Sequence, residues 1–190
     1  SSKTVVVSLL AGVETASLRQ RFPKAIIVRA TTNLPVSVRR GVSALYSEDE
    51  IEEGVKPKVA DLFAALGFAM WTQSEGGLGA IGAVAGAGPA YVARFIEAFA
   101  DAAVEQGLSR EIAATIALET FMGTAWMAAA TKESMEQIAR RVASPNGTTE
   151  AGLSVLDRDD ALDRLVAKAI DAARRRGAEL AAEARGEQVA

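Results

Sequence analysis

The sequence has no cysteine and no histidine among its 190 residues. Without cysteine there is no disulfide framework, no thiolate nucleophile and no cysteine-ligated metal. Without histidine the commonest general base and the commonest metal ligand are both missing. No metal site is expected, and any chemistry must run on carboxylates, hydroxyls, lysines, backbone amides or a borrowed cofactor. A surplus of positive charge is also lacking: 21 Lys and Arg stand against 24 Asp and Glu, a net charge of −3. Nucleic acid is therefore not an expected partner, since phosphate binding needs a concentrated basic face. The one basic run, Arg174-Arg175-Arg176, falls late in a helical pattern, where cations suit the helix dipole. No run of about 18 uninterrupted apolar residues occurs, and Ser1-Ser2-Lys3 does not open a signal peptide. The expectation is a soluble, cytoplasmic protein with no membrane partner.

What is present is the composition of an ordinary globular chain, 49% hydrophobic and 24% charged, long enough for one good core or two small ones. Val5–Leu10 is a continuous apolar run, as a strand buried on both faces requires, and Gly12 ends it. A short helix with Leu18 and Phe22 on one side stops at Pro23, and residues 25–28 read as the next buried strand. Such a βαβ unit implies parallel strands. Residues 43–46 form a weaker strand candidate. Val59, Leu62, Phe63 and Leu66 then recur at helical spacing, with Gly67 placed as a left-handed cap, and residues 68–72 read as another strand.

From about Leu78 the pattern is helical throughout. Val92, Phe95, Ile96, Phe99 and Ala103 share a face, Gly107-Leu108 reads as a Schellman end, and Ser109 caps the next helix. That helix, through Ile112, Ile116, Phe121, Met122 and Trp126, is apolar nearly all round, which suits a core or an intermolecular interface. Ser134 with Gln137 matches a capping box, and Leu162 to Ala173 form a final amphipathic stripe. The spacing predicts an α/β piece over residues 1–75 and an all-helical domain over 76–190.

Four segments could carry chemistry. Gly77-Leu78-Gly79-Ala80-Ile81-Gly82 is a literal G-x-G-x-x-G, but no acid-tipped strand follows some 20 residues on, so an interdomain hinge is favoured over a pyrophosphate cradle. Gly86-Ala87-Gly88-Pro89-Ala90 places helix-weakening residues in a helical pattern, which suits close approach by another helix or by a ligand equally well. Ser144-Pro145-Asn146-Gly147-Thr148-Thr149 sets hydroxyls and amides at a helix entrance. It could hold a small carboxylate or serve as a plain turn. Residues 29–35, Arg-Ala-Thr-Thr-Asn-Leu-Pro, follow the second strand. There Asn33 could meet a nicotinamide carboxamide with a donor and an acceptor, or simply sit in a turn.

Taken together, in order and at these separations, the segments resemble the pyrroline-5-carboxylate reductases. That family carries Arg-x-Met-Pro-Asn-Thr-Pro, then Gly-Ser-Gly-Pro-Ala-Tyr, then Ser-Pro-Gly-Gly-Thr-Thr followed by Ala-Gly and Val-Leu. Here the counterparts are residues 29–35, Gly86-Ala87-Gly88-Pro89-Ala90-Tyr91, and Ser144 to Thr149 followed by Ala151-Gly152 and Val155-Leu156. The resemblance implies a partial Rossmann-like parallel sheet, binding NADPH or NADH, followed by an all-helical dimerisation domain like the C-terminal part of 6-phosphogluconate dehydrogenase. It implies a homodimer or a larger homo-oligomer that reduces 1-pyrroline-5-carboxylate, a cyclic imino acid, to L-proline. Carried over by position, Ser144, Gly147, Thr148 and Thr149 would bind the substrate, with the Thr149 hydroxyl facing the ring nitrogen as the catalytic group. Ala30 and Asn33 would lie beside the nicotinamide. Hydride delivery to a protonated imine requires positioning and one hydrogen bond, so the lack of histidine and cysteine fits.

Asn146 stands where the family has glycine, and Thr31, Thr32 and Leu34 depart from the nicotinamide-side motif. The family's opening strand and glycine-rich turn have no counterpart in these residues, so the sequence is expected to lack that dinucleotide-binding motif. Two other readings stay open, a non-catalytic dimerisation module built on the same fold and a related cyclic imine reductase.

Overall fold

The computed structural model describes residues 4–186. The chain divides into two compact units. One comprises the residues up to Pro89 together with those from Lys168 onward, and the other is Ala90–Ala167.

The first unit is built on a four-stranded sheet of order β1-β2-β3-β4. Strand β1 (Val5–Ser8) pairs in parallel with β2 (Ile26–Thr32) across helix α1 (Thr15–Arg21). Strand β3 (Gly41–Tyr46) pairs in parallel with β4 (Gly67–Trp71) across α2 (Val55–Ala64). The junction between the two halves departs from the expected all-parallel sheet, because β2 and β3 run antiparallel. The reason is chain length. Only a 3₁₀ turn, Leu34–Val38, lies between them, whereas a parallel crossover needs a dozen or more residues. Strand β2 also runs four residues beyond the predicted end, so Arg29 to Thr32 are ladder residues rather than loop.

Val28, Ala30, Leu45, Val59 and Phe63 form the core between the sheet and α2, with Trp71 and Val7 against it. Gly67 lies at a positive φ of 138°, as predicted, but it opens β4 rather than capping α2, whose cap is Ala65. Glycine is required there because an added Cβ would collide with the Gly41 backbone on the neighbouring strand. Asp49 fastens the β1–β2 side. It pairs with Arg19 and accepts the Ile27 amide at 2.7 Å. Burial pushes the Asp49 carboxyl up, but the hydrogen bonds from Arg19 and Ile27 outweigh it and leave it below its usual value.

Helix α3 (Glu75–Ile81) starts at Ser74, whose hydroxyl accepts the Gly77 amide at 3.0 Å. Gly77 to Ile81 are thus capped helix within the first unit and Gly82 opens the turn that follows, so the G-x-G-x-x-G segment forms no phosphate-binding loop. One π-helical turn, Gly82–Gly86, joins α3 to α4 (Gly88–Glu105).

In the second unit α4 ends as predicted. Leu108 N–H donates to Ala103 C=O and Gly107 N–H to Val104 C=O, the two bonds of a Schellman motif, with Gly107 at φ 94°. Ser109 caps α5 (Arg110–Thr131), and Ser134 and Gln137 form the full capping box of α6 (Met135–Val142). Helix α7 (Thr148–Leu156) and α8 (Ala161–Ala184) follow, the later part of α8 belonging with the sheet. Ala100, Ala113 and Ala117 are the buried centre of this unit, a narrow seam of small side chains. Ile112, Ile116, Leu118, Met122 and Trp126 of α5 stay exposed, as do Val92 and Phe99 of α4. By length and composition Glu75–Glu105 and Arg110–Thr131 are apolar enough to cross a membrane.

Candidate functional site

Within the sheet unit a groove of about 800 Å³ opens where β1 and β2 end, within the range of small-molecule sites. Its walls come from Leu9 to Gly12, Arg29 to Thr31, the glycine-rich start of α3 and the end of α8. The sheet places them together because βαβ units leave their connecting loops at the carboxyl ends of parallel strands. Small residues make the walls smooth: Gly76, Gly79, Gly82, Ala83 and Gly177 all face it. Gly12 has φ 74°, and an added Cβ would press on the Leu180 carbonyl oxygen at 3.1 Å. At this position the β1–α1 loop and α8 approach too closely for a side chain.

Glu75 organises the polar side of this groove. Its Oε1 accepts the Thr15 amide at 2.8 Å, the Thr15 hydroxyl at 2.9 Å and Arg29 Nη1 at 2.7 Å. One carboxylate therefore ties α1, β2 and α3 together. Burial pushes Glu75 up, yet the bonds from Arg29 and Thr15 prevail and hold it below its ordinary value of 4.5. Sequence reasoning missed Glu75 and Thr15. Their partners lie 60 residues apart, and nothing local signals the pairing.

Of the residues expected beside a nicotinamide, Ala30 lines the groove, although its side chain belongs to the core with Leu45 and Phe63. What it offers a ligand is chiefly backbone. Asn33 sits at the head of the 3₁₀ turn, and its carboxamide is already engaged. Oδ1 accepts the Val42 amide at 2.8 Å and Nδ2 donates to the Ala85 carbonyl at 3.0 Å. The groove can accept the flat, partly polar end of a dinucleotide, since its glycine and alanine walls leave space that larger side chains would fill.

The helical unit holds the other predicted set, Ser144 to Thr149, between α6 and α7. Gly147 N–H donates to Ser144 C=O at 2.9 Å, closing a tight turn. An added Cβ at Gly147 would crowd the Ser144 hydroxyl, which can rotate away, and would lie 2.9 Å from the Ser144 carbonyl oxygen, so a side chain here would require the turn to shift. Asn146 takes φ 58°, a left-handed conformation that Asn tolerates where the family pattern has glycine. Its amide donates to Glu150 Oε2 at 2.6 Å. The first intrahelical bond of α7 is Ala151 N–H to Gly147 C=O, so the amides of Thr148, Thr149 and Glu150 precede it, and among the described residues no side chain caps them. Ser144 and Thr148 are exposed and Thr149 is half-buried at this positive helix end. Gly86 and Gly88 start no close contact of their own, since an added Cβ at either meets nothing within 4 Å among the described residues.

Residues 75–180 match the family model described as pyrroline-5-carboxylate reductase dimerisation. The chain is 37% identical over 179 residues to a pyrroline-5-carboxylate reductase of Pseudomonas aeruginosa, covering 93% of this chain and 65% of that protein. It is 38% identical over 180 residues to one from Synechocystis, covering 95% and 67%. Among solved structures, a pyrroline-5-carboxylate reductase from Coxiella burnetii superimposes with a TM-score of 0.88 at 37% identity, covering 93% of this chain and 65% of that one. The Plasmodium falciparum pyrroline carboxylate reductase, solved with NADP bound, gives 0.83 at 28% identity, covering 93% and 71%. The chain thus spans about two thirds of the length of the curated relatives it matches. Its sheet is a Rossmann-like portion of that architecture, and residues 75–180, α3 through most of α8, are the dimerisation portion. On the family match, the identity and the shared fold, the chain belongs to the pyrroline-5-carboxylate reductase family.

Proposed function

We propose that the protein containing this chain is an NAD(P)H-dependent pyrroline-5-carboxylate reductase that forms L-proline in the cytoplasm and acts as a homodimer or a larger homo-oligomer. The observation that carries the reading is the Ser144–Thr149 turn. A small-residue turn, a glycine packed tightly on the Ser144 carbonyl and three amides that precede the first intrahelical bond stand at a positive helix end, in the motif order that the family resemblance gives. Those amides and the Ser144 and Thr148 hydroxyls hold the substrate carboxylate. The Thr149 hydroxyl orients the ring nitrogen by one hydrogen bond. Ala30 and Thr31 would floor the site for the nicotinamide, which would supply the hydride when bound. The domain division at about residue 75 belongs to the same reading: the strands that floor the cofactor groove lie before it, and the segments for assembly and substrate binding lie after it, with α3 and the end of α8 lending the groove its other walls. The exposed apolar faces of α4 and α5 are covered by a second copy of the chain rather than by lipid, as a dimerisation family requires.

The test is consumption of NADPH or NADH by the full polypeptide when 1-pyrroline-5-carboxylate is added, with Thr149→Val as the diagnostic variant. Turnover in the variant should fall roughly 10- to 100-fold, the value of one hydrogen bond to a charged group. No oxidation of either cofactor by the wild-type protein would refute the reading.

A further inference from the structure

We propose that Asn33 is a positioning residue, which sets the width of the nicotinamide groove by holding the π-helical turn Gly82–Gly86 against the end of the β2–β3 pair. The inference rests on the reductase reading above and assigns Asn33 a different task from direct contact with the cofactor. Asparagine is a favoured helix N-cap, and Asn33 occupies the N-cap position of the Leu34–Val38 turn, yet its side chain makes no capping bond there. The carboxamide serves two distant backbone groups instead: the Val42 amide at the start of β3 and the Ala85 carbonyl inside the π-turn, 52 residues away.

A π-turn carries one residue more than an α-turn, so its carbonyls fall out of register with the regular ladder. Asn33 takes up one of them, the Ala85 carbonyl. The same turn forms a wall of the groove through Gly82 and Ala83, while Ala30 and Thr31 at the end of β2 form its floor. An added Cβ at Gly82 would lie 3.5 Å from the Thr31 hydroxyl, in van der Waals contact, so wall and floor are close at that point. The Asn33 bridge spans the same two elements and fixes their separation. Among side chains of this length only asparagine supplies the acceptor and the donor together, since an ionised aspartate accepts only and leucine does neither.

The experiment compares wild-type full polypeptide with Asn33→Asp, which keeps the acceptor for Val42 and loses the donor to Ala85. Two quantities are read: amide hydrogen exchange over residues 82–88 without ligand, and NADPH affinity by fluorescence titration alongside KM and kcat. Exchange in that segment should quicken about tenfold while β1 is unaffected, as loss of one hydrogen bond implies. NADPH should bind about tenfold more weakly, with kcat at saturating cofactor and KM for the imine changing less than about threefold. Weakened NADPH binding with wild-type exchange would make Asn33 a direct ligand and overturn the proposal. Faster exchange with unchanged NADPH affinity would make it a purely structural staple and overturn it equally. If the wild-type protein binds NADPH but does not reduce the imine, the substrate reading falls while the Asn33 comparison still stands or fails on its own readouts.

Discussion

Leu45, in the middle of the sheet, has none of its surface exposed, whereas Trp126 on α5 exposes 64% of its own. The two residues mark a contrast between the units that contain them. The sheet unit buries Ile27, Val28 and Leu45 within its own chain, and ion pairs such as Arg29 with Glu75 close its edges. The helical unit buries little besides Ala100, Ala113, Ala117 and Ile138, and leaves its large apolar side chains outward. Alanine seams let helices pack closely but remove little area from water, so this unit gains less hydrophobic stabilisation from its own fold. Stability therefore has a different source in each. The sheet unit is held by internal packing, and under the proposed dimer the helical unit draws on the second copy that covers it.

Leu45→Ala should break the sheet side of this contrast most severely. Deleting a fully buried leucine side chain removes about 2–5 kcal/mol, through lost transfer energy and the cavity left behind. Urea unfolding should show the loss directly. A dimer measured by light scattering should persist wherever the chain remains folded. A change under about 1 kcal/mol would mean that the centre of the sheet is not the stabilising core.

Ile116→Asp probes the other side. The position is 44% exposed, so the chain's own packing should tolerate it, while a charge buried against a second copy is costly. An interface hot spot is worth about 2 kcal/mol or more, so the dimer dissociation constant should rise at least ~30-fold. Sedimentation at several concentrations checks this. An unchanged constant would remove α5 from the interface.

The contrast also decides what could be read from the sequence. Strands β1, β2 and β4 were legible because their apolar runs are too short for a helix and are bounded by Gly12, Pro23 and Gly67, although β4 leaves Phe68 and Met70 exposed. The Ser109 cap, the Ser134–Gln137 box and the Gly107 end were legible because capping chemistry is local. The antiparallel β2–β3 pairing was hidden, since a strand pattern carries no direction and only the eight residues from Asn33 to Arg40 forbid a crossover. The all-round apolarity of α5 pointed to either a core or an interface, and its exposure in the single chain favours the interface. For the candidate site, the Ser144–Thr149 turn was visible as chemistry next to a helix start. The Glu75 and Asn33 bridges were not, because each joins segments dozens of residues apart through backbone groups that look alike in every sequence.

Glu75 gives the smallest effect and the sharpest test of how the sheet unit closes its edge. Its folded carboxyl titrates below 4.5, so the unfolded chain takes up the proton first as pH falls. The stabilisation is therefore complete above that ordinary value and is lost as pH drops through the lower folded value. Glu75→Gln keeps an acceptor for Thr15 but cannot pair with the Arg29 charge. At neutral pH it should cost about 1 kcal/mol, modest because the ion pair is partly open to solvent. The stability gap between the two proteins, followed by thermal melting from about pH 7 down to about pH 3, should stay constant to near pH 5 and then close. A gap of the same size at both ends of that range would mean that the contribution comes from side-chain shape. In that case the Arg29–Glu75 charge pair would not be what secures α1 and α3 to the sheet.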